Sequence, residues 1–384
     1  MPSRPEHLLI TGAWRSGTTL VEKLLHAHPE ASVASQPFPF IYVEAKRRFD
    51  AARGIEGRYS LGHLFGETRY RPSDLIGFLD ELRFTEAEVA LLLEGMRDYS
   101  GWWTPEVAEV ALGGGSLLDI RRRMHLALAE RFGRPDASAV GSKEILVEEF
   151  VPWLLANGER ALLVLRDPRA VAASAAGGSG QRYAGRARPL LFQLRVWRKS
   201  VAYALAYRDD PGLLTVRYED VVASPEEVVA RAAEWLGLAA PPEGLLADGL
   251  VDQRGEPWMG NSSFGARAGV SAASASRYLD ELSGETIRFI ETCCWPEILA
   301  LGYPLHEIVE PDPDEIARFS EPAPVDHPAF AGDDSESPAH AASAERARLE
   351  ALHRDDIAVD WQRALFLFEQ TYAALRDAVT SRSR

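Results

Sequence analysis

Short apolar segments alternate with longer amphipathic segments through roughly the first 240 residues of this chain. Residues Ala161–Leu165 are apolar at every position, as expected for a strand that is buried on both faces of a parallel sheet. Similar runs predict strands at His7–Thr11, Ala31–Ser35 and Leu213–Arg217. Apolar residues at helical spacing predict helices at Thr18–His26, Phe38–Asp50, Leu190–Arg208 and Pro225–Leu236. Strands that alternate with helices predict an α/β fold, with a doubly wound sheet and central parallel strands.

Three segments depart from this alternation. Residues 60–135 are predicted to be mostly helical, with breaks at Pro72, Trp102–Pro105 and Gly113–Gly115, and to form a large helical insertion in a domain that extends over residues 1–306. Residues 307–345 are rich in Pro, Asp, Glu, Ser and Ala, which predicts an acidic linker. An amphipathic stretch from about Ala344 to Val379 follows. We therefore expect residues 346–384 to form a C-terminal helix that packs on the body of the protein.

The net charge of −15 is concentrated in one part of the chain, where 15 acidic and 4 basic residues lie between Glu307 and Asp360. Strong acidity argues against a nucleic-acid partner, because a protein that binds the phosphate backbone needs a positive surface. No stretch reaches the roughly 18 apolar residues of a membrane span. The adjacent Cys293 and Cys294 are a poor basis for a disulfide framework. We therefore expect a cytoplasmic protein with reduced thiols and no membrane partner.

The loop after the first predicted strand has the composition of an anion-binding loop. It reads Gly-Ala-Trp-Arg-Ser-Gly-Thr-Thr from Gly12, and its two glycines allow backbone N–H groups to surround an anion at a helix N-terminus. Thr18 stands where a nucleotide-binding P-loop has its lysine, and the cation, Arg15, lies earlier in the loop. This favours a donor that has a 5′-phosphate and no γ-phosphate. The alternative is a turn that contains glycine by chance.

A second pair of residues, Arg166 and Ser174, has a spacing suited to another phosphate. Arg166 follows the predicted strand Ala161–Leu165, where a guanidinium can bind a phosphate through two hydrogen bonds. Ser174 comes one predicted helix later and adds a neutral donor. The alternative is that Arg166, Asp167 and Pro168 form a surface turn with a local ion pair.

Both segments resemble motifs of one enzyme family. The sequence WRSGTTL from Trp14 to Leu20 resembles the 5′-phosphosulfate loop of sulfotransferases that use 3′-phosphoadenosine 5′-phosphosulfate, or PAPS. Its arginine is more similar to the tyrosylprotein and carbohydrate enzymes than to the cytosolic ones. The segment from Leu165 to Ser174 resembles the 3′-phosphate motif of the same family. The resemblance covers residues 6–306 and implies a P-loop-like fold, PAPS as donor, adenosine 3′,5′-bisphosphate as product, and no metal.

The resemblance also implies roles for individual residues. Lys143, 23 residues before Arg166, resembles the family lysine near the transferring group, and a surface lysine at a strand end is the alternative. Arg267 lies in a segment similar to the late loop that closes over the nucleotide, and a solvated loop arginine is the alternative. The catalytic residues implied are Arg15 and Lys143. The donor-binding residues implied are Arg15, Ser16, Gly17, Thr18, Thr19, Arg166, Ser174, Tyr218 and Arg267.

The general base is not assigned by the resemblance. Cytosolic members have a histidine two residues after the lysine, where this chain has Ile145. Tyrosylprotein enzymes have a glutamate where this chain has Gln36. A base must lie within about 3 Å of the acceptor proton, and we take Glu44, on the helix predicted after Gln36, as the candidate. Further candidates are Glu144, His125 and His63.

Two other functions stay open from the sequence. The first is a P-loop kinase or NTPase, in which Asp167 would bind Mg²⁺, although the lysine replaced by Thr18 counts against it. The second is a nucleotide-binding protein without activity. For a sulfotransferase we expect the acceptor to be a hydroxyl or an amine of a small molecule, free or bound to a carrier protein. High Ala, Arg and Gly content is typical of GC-rich bacteria, and by analogy suggests secondary metabolism. The oligomeric state is not predicted.

Overall fold

The structure is a computed structural model that describes residues 4–55, 70–176, 188–260, 270–322, 324–325 and 337–382. Within these ranges the chain forms two compact units. The first unit draws on Met1–Leu61, Arg69–Leu165 and Asp209–Ala272. The second unit draws mainly on Arg166–Arg208 and Ala273–Arg384.

Strands form one parallel sheet and one short antiparallel pair in the first unit. They are, in chain order, β1 (Glu6–Thr11), β2 (Ala31–Ser35), β3 (Arg83–Phe84), β4 (Gly115–Ser116), β5 (Ala139–Lys143), β6 (Arg160–Leu165) and β7 (Leu213–Arg217). The parallel sheet has the order β2-β5-β1-β6-β7. Leu8, Leu9 and Ile10 of the central strand β1 have no exposed surface. The predicted α/β fold with central parallel strands is confirmed, and β5 is a strand that the apolar pattern does not predict.

Helices account for most of the other described residues. They are, in chain order, α1 (Thr18–Ala27), α2 (Pro39–Ala52), α3 (Pro72–Glu81), α4 (Glu86–Gly95), α5 (Leu117–Arg131), α6 (Val151–Ala156), α7 (Pro168–Ala176), α8 (Leu190–Ala206), α9 (Tyr218–Ala223), α10 (Pro225–Trp235), α11 (Ala273–Ser276), α12 (Tyr278–Glu281), α13 (Gly284–Ala300), α14 (Asp314–Arg318), α15 (Pro338–Ala351), α16 (Val359–Phe366) and α17 (Glu369–Arg382). No helix in the described ranges is long and apolar enough to cross a membrane.

The insertion is largely, but not entirely, helical. Its helix α4 begins with a capping box, in which Thr85 Oγ1 accepts the N–H of Glu88 at 3.2 Å and a Glu88 carboxylate oxygen accepts the N–H of Thr85 at 2.7 Å. Between its helices, Arg83–Phe84 and Gly115–Ser116 pair as the antiparallel strands β3 and β4, which the sequence does not predict. Strands of two residues are too short to show an alternating pattern in the sequence.

The C-terminal extension consists of three helices, α15 to α17, and the prediction of one helix from Ala344 to Val379 is wrong. Helices α14 and α15 both begin within residues 307–345, where the sequence predicts a linker. Glu345 of α15 accepts two hydrogen bonds from the guanidinium of Arg198, at 2.6 and 2.9 Å, and lies 3.3 Å from Arg195 Nε. If the extension packed elsewhere, these buried charges would lose their partners, which is energetically costly. The ion pair therefore fixes one specific position of α15 on α8 within the second unit.

Strand β5 lies so close to β1 that Gly141 has no room for a side chain. A Cβ at Gly141 would lie 2.5 Å from the carbonyl oxygen of Leu8. We predict that Gly141→Ala lowers the free energy of unfolding by about 3 kcal/mol, because overpacking forces backbone shifts. Urea denaturation followed by circular dichroism measures this change.

Gly77→Ala is the matched control, because Gly77 is exposed inside α3 with open space around it. Alanine there should raise the free energy of unfolding by about 0.5–1 kcal/mol, since it restricts the unfolded chain and favours helix. Equal effects of the two substitutions would contradict the close approach of β5 to β1.

Candidate active site

The strands of the parallel sheet end at one common edge, which carries Arg15 and Lys143, two of the predicted catalytic residues. Strand β1 continues into the loop that starts at Gly12, β2 continues into Gln36, and β5 runs through Lys143. Among the described residues, four that are not glycine have a positive φ. Three of these lie at this edge: Arg15 at 63°, Gln36 at 45° and Leu146 at 66°. Strained backbone clusters at functional sites, because the surrounding structure must hold it in place.

The loop from Gly12 to Gly17 leads directly from β1 into α1. Within it, the N–H and the hydroxyl of Ser16 both donate to the carbonyl of Ala13, at 3.2 and 2.6 Å. This turn holds Arg15 in the left-handed conformation. Gly17 is the N-cap of α1 and has no side chain to accept the first N–H groups of the helix. The helix N-terminus therefore offers N–H donors and a partial positive charge, which suit an anion.

Close contacts require glycine at both ends of this loop. A Cβ at Gly12 would lie 2.5 Å from the carbonyl oxygen of Val164, and a Cβ at Gly17 would overlap the ring of Tyr218. Gly17 also has a φ of 96°, which other residues rarely adopt. Tyr218 begins α9 directly after β7. The structure thus brings this predicted donor-binding residue against the loop.

Lys143 is a buried cation at the end of β5, with 1 % of its surface exposed. Its Nζ donates to Gln36 Oε1 at 2.9 Å and lies 5.1 Å from the centroid of the Trp103 ring. Burial lowers the pKa of Lys143 to about 8, because desolvation disfavours the charged form. The sequence marks Gln36 as a residue that replaces a carboxylate, but it does not predict the contact of Gln36 with Lys143. A position between a predicted strand and a proline is the sequence feature that could have indicated a structural role for Gln36.

Glu144 is fully buried beside the turn from β2 to α2. Its Oε1 accepts the backbone N–H of Phe38 at 3.0 Å, whereas its Oε2 has no hydrogen-bond partner in the described part of the chain. Burial raises the pKa of this carboxyl, because the charged form is desolvated. Its own N–H donates to Ile10 O at 2.9 Å, and the N–H of Leu146 donates to Gly12 O at 3.1 Å. The backbone around Glu144 is therefore tied to the end of β1 and the start of the loop.

Glu44, the base candidate favoured from the sequence, is engaged by two arginines. Its carboxylate accepts hydrogen bonds from Arg47 at 2.7 and 2.8 Å and from Arg48 at 2.8 Å, all within α2. The hydrogen bonds from Arg47, and then those from Arg48, lower its pKa. A carboxylate held by two guanidinium groups is a weak proton acceptor. The structure therefore disfavours Glu44 as the base.

The buried His125 also has partners, the first of which is the half-buried His7. The two Nδ1 atoms lie 3.2 Å apart, and His125 Nε2 lies 3.1 Å from Ser142 Oγ. Burial lowers the pKa of both imidazoles, that of His7 to about 4. Both ring nitrogens of His125 are thus used in contacts with β1 and β5. His63, the remaining candidate, lies outside the described residues.

In the second unit, Arg166 directly precedes α7. Its guanidinium donates to the carbonyl of Ser274 at 2.7 Å, and its own carbonyl accepts the indole N–H of Trp197 at 2.8 Å. Ser174 lies on α7 and is 5 % exposed. Both residues are therefore held in place within this unit. Arg267 lies outside the described residues.

Asp167, the residue that a kinase would use for Mg²⁺, forms a buried ion pair. Its carboxylate accepts hydrogen bonds from Arg169 Nε at 2.9 Å and Nη2 at 2.6 Å. Arg169 Nη1 in turn donates to Glu291 at 2.5 Å. This carboxylate is therefore part of the packing of the second unit.

A family model described as the sulfotransferase family matches residues 6–242, which include the loop, Lys143 and the motif around Arg166. The chain belongs to the sulfotransferase family. The family relationship inferred from the two motifs is thereby confirmed, and this sulfotransferase is an enzyme of sulfuryl transfer. No curated protein matches the chain.

Several solved structures are similar to this sulfotransferase at low identity. The sulfotransferase domain from the curacin biosynthetic pathway is 17 % identical over 79 % of this chain and 100 % of that chain, with a TM-score of 0.41. The sulfotransferase domain from the Synechococcus PCC 7002 olefin synthase is 18 % identical over 79 % of this chain and 97 % of that chain, with a TM-score of 0.39. Retinol dehydratase in a complex with retinol and PAP is 16 % identical over 76 % of this chain and 80 % of that chain, with a TM-score of 0.36.

The pair of His7 and His125 makes the stability of this sulfotransferase depend on pH. Folding holds His7 neutral with a pKa near 4, whereas the unfolded chain takes up a proton below its ordinary value of 6.5. The stability it contributes is present above pH 6.5 and is lost as pH falls toward 4. We predict a loss of about 1 kcal/mol from His7 between pH 7 and pH 5, because solvent at the half-buried ring screens part of the effect. Urea denaturation at both pH values measures it.

His7→Gln should reduce this loss, since glutamine does not titrate. His353→Gln, a change at an exposed histidine, serves as the control. An unchanged pH dependence in His7→Gln would contradict the assignment.

Proposed function

We propose that this sulfotransferase transfers a sulfuryl group from PAPS to a hydroxyl group of a small molecule. The observation that carries the proposal is the loop from Gly12 to Gly17, a glycine-bounded cradle at the N-terminus of α1. Its N–H groups suit the 5′-phosphate of the donor, and the guanidinium of Arg15 suits the anionic sulfuryl group attached to it. Thr18 and Thr19, the first residues of α1, place two hydroxyl groups at the same helix end.

A P-loop kinase or NTPase finds less support. Such an enzyme uses a lysine for the β- and γ-phosphates, and this chain has Thr18 at that position. It also uses a carboxylate to hold Mg²⁺, and the carboxylate of Asp167 is bound by Arg169. A donor with one 5′-phosphate and a sulfuryl group requires neither residue.

For the rest of the donor we propose two further groups of contacts. Arg166 and Ser174 would bind the 3′-phosphate, since a guanidinium and a hydroxyl are both donors to phosphate oxygens. Tyr218 would contact the donor where its ring adjoins Gly17. The role of Arg267 rests on the resemblance of its segment to the family.

The reaction is a displacement at sulfur. The acceptor oxygen forms a bond to sulfur as the bond from sulfur to the 5′-phosphate oxygen breaks, and the electron pair leaves with adenosine 3′,5′-bisphosphate. We propose that Arg15 and Lys143 stabilise the charge that develops on the departing and sulfuryl oxygens. One well-placed donor of this kind contributes about 3 kcal/mol, on the order of a hundredfold in rate.

The acceptor proton must pass to a base, and Glu144 is the strongest of the candidates. It lies at the sheet edge next to Lys143, and one of its carboxylate oxygens has no hydrogen-bond partner among the described residues. Its raised pKa makes it a better proton acceptor than Glu44, whose pKa is lowered. We therefore propose Glu144 as the base in place of Glu44.

We propose that the acceptor has an apolar or aromatic body, as a secondary metabolite or a carrier-bound intermediate does. The rings of Phe40 and Tyr99 lie 5.2 Å apart, and the partly exposed Trp102 and Trp103 follow in the same segment. Partly exposed aromatic groups near a charged residue are typical of small-molecule sites. We also propose a cytoplasmic location, with support from the free thiols of Cys293 and Cys294.

Calorimetric titration with adenosine 3′,5′-bisphosphate, beside ATP with Mg²⁺, tests the donor. We predict tight binding of the bisphosphate alone, and weaker binding by roughly ten- to a hundredfold in Arg166→Ala, since this variant loses a charge-assisted hydrogen bond to the 3′-phosphate. Arg97→Ala, which removes an exposed arginine, is the control and should bind normally. Preference for ATP with Mg²⁺ would contradict the proposed donor.

Transfer of labelled sulfuryl from PAPS to a panel of phenols and alcohols tests the base. We predict that Glu144→Gln binds adenosine 3′,5′-bisphosphate normally but loses at least a hundredfold in transfer rate, because the amide does not accept the proton. Glu44→Gln should retain most of the rate. The opposite ranking of these two variants would restore Glu44 as the base.

A further inference from the structure

Gln36 holds Lys143 at two points. The Gln36 side-chain Oε1 accepts a hydrogen bond from Lys143 Nζ at 2.9 Å, and the Gln36 backbone N–H donates to the Lys143 carbonyl at 2.8 Å. Gln36 is 6 % exposed and Lys143 is 1 % exposed. A buried ammonium needs hydrogen-bond acceptors to offset its lost hydration, and Gln36 supplies one.

The backbone of Gln36 is itself held in a costly conformation. Its φ of 45° lies in the left-handed region, which a residue with a side chain adopts only when its surroundings require it. On one side, Thr104 Oγ1 accepts the N–H of Ser35 at 3.1 Å and donates to the Ser35 carbonyl at 2.8 Å. On the other side, the indole N–H of Trp102 donates to the Pro37 carbonyl at 3.0 Å. Three hydrogen bonds from one segment of the insertion therefore fix this turn.

The residue between Trp102 and Thr104 completes the arrangement. The ring of Trp103 faces Lys143 Nζ, with its centroid 5.1 Å away. An aromatic face attracts an ammonium group without neutralising it. Lys143 thus lies between two uncharged groups, the amide oxygen of Gln36 and the ring of Trp103. The two segments that supply these groups are themselves joined by the three hydrogen bonds of Trp102 and Thr104.

We propose that Gln36 is the positioning residue of Lys143, which it holds with Trp103 so that the ammonium meets the sulfuryl group of the donor. The inference rests on the proposed function, since it assigns Lys143 to that group. A neutral acceptor orients the ammonium but leaves its charge available for the anionic donor. A carboxylate at the same position would form an ion pair with the lysine and compete with the sulfuryl oxygens for it.

The charges around Lys143 determine how its titration responds. Burial lowers the pKa of Lys143 to about 8, whereas Glu22 of α1 and Glu144 after β5 favour the ammonium and Lys23 of α1 opposes it. Removing the amide acceptor without admitting water should lower the pKa further. Adding a carboxylate should raise it toward the ordinary lysine value.

The composition of the chain allows this titration to be observed directly. The sequence contains four lysines: Lys23, Lys46, Lys143 and Lys199. Labelling lysine with ¹³C at Cε therefore gives four signals, which single Lys→Arg substitutions assign. Each signal reports the protonation of its own side chain as the pH is changed, without any acceptor or turnover.

Two variants of similar size change the acceptor in opposite senses. Gln36→Met keeps the volume and removes the oxygen, so the Lys143 midpoint should fall by about one pH unit. Gln36→Glu keeps the oxygens and adds a charge, so the midpoint should rise by at least one pH unit. Gln370→Glu, which adds the same charge at an exposed position, should leave it unchanged. Circular dichroism shows whether each variant is folded. If Gln36→Met does not fold, the shift in Gln36→Glu alone tests the positioning role.

Comparison of two ligands isolates the sulfuryl group. We expect both Gln36 variants to bind PAPS about tenfold more weakly, while binding of adenosine 3′,5′-bisphosphate, which has no sulfuryl group, changes less than twofold. In a Lys143→Met background, adding Gln36→Met should cause no further loss, because the amide acts through the lysine. A merely structural role for Gln36 would weaken both ligands alike.

The outcomes separate this inference from the proposed function. If the wild type binds both ligands, an unmoved Lys143 midpoint in both Gln36 variants overturns the positioning role alone. A tenfold loss that persists in the Lys143→Met background would also overturn it. If the wild type binds neither ligand, the donor assignment fails, and the positioning role fails with it.

Discussion

Two backbone hydrogen bonds between the end of β5 and the end of β1 determine the geometry of this site. The N–H of Glu144 donates to Ile10 at 2.9 Å, and the N–H of Leu146 donates to Gly12 at 3.1 Å. They continue the pairing of β5 beyond its last strand residue and bring the chain against the start of the loop from Gly12 to Gly17. The proposed anion cradle, cation and base therefore share one frame. The frame depends on Gly141, because any side chain there would separate the two strands.

Several charged groups are buried near this edge of the sheet, and each loses hydration free energy that its partners must offset. Lys23 Nζ donates to Gln253 at 2.6 Å and lies 3.3 Å from Glu22, so these two charges satisfy each other. Lys143 has a neutral amide and an aromatic ring instead of a carboxylate. The groups in direct contact with the ammonium are thus uncharged, and an anion that binds there would supply the charged partner that they lack. The electrostatics of the edge are therefore consistent with an anionic donor.

Local patterns predict the sheet, its first helices and the phosphate loop, because apolar runs and a glycine-bounded turn lie in adjacent residues. Strand β5 escapes such a pattern, since Gly141 interrupts it and its neighbours β1 and β2 hold it in place. The environment of Glu144 likewise comes from tertiary contacts that no local pattern shows. The ion pairs of Glu44, in contrast, are predictable from the sequence, because Arg47 and Arg48 lie three and four residues later on one helix. The candidate role of Lys143 is predicted from family resemblance, whereas its hydrogen bond to Gln36 is visible only in the structure.

The measurement that tests the central claim most directly is a crystal structure of the protein with adenosine 3′,5′-bisphosphate. We predict that the 5′-phosphate lies on the loop from Gly12 to Gly17, with its oxygens about 3 Å from the N–H groups at the start of α1. We also predict that Lys143 Nζ points toward the side of that phosphate from which the sulfuryl group would leave. A 5′-phosphate bound away from this loop, or a loop closed by its own side chains, would contradict the proposed donor site.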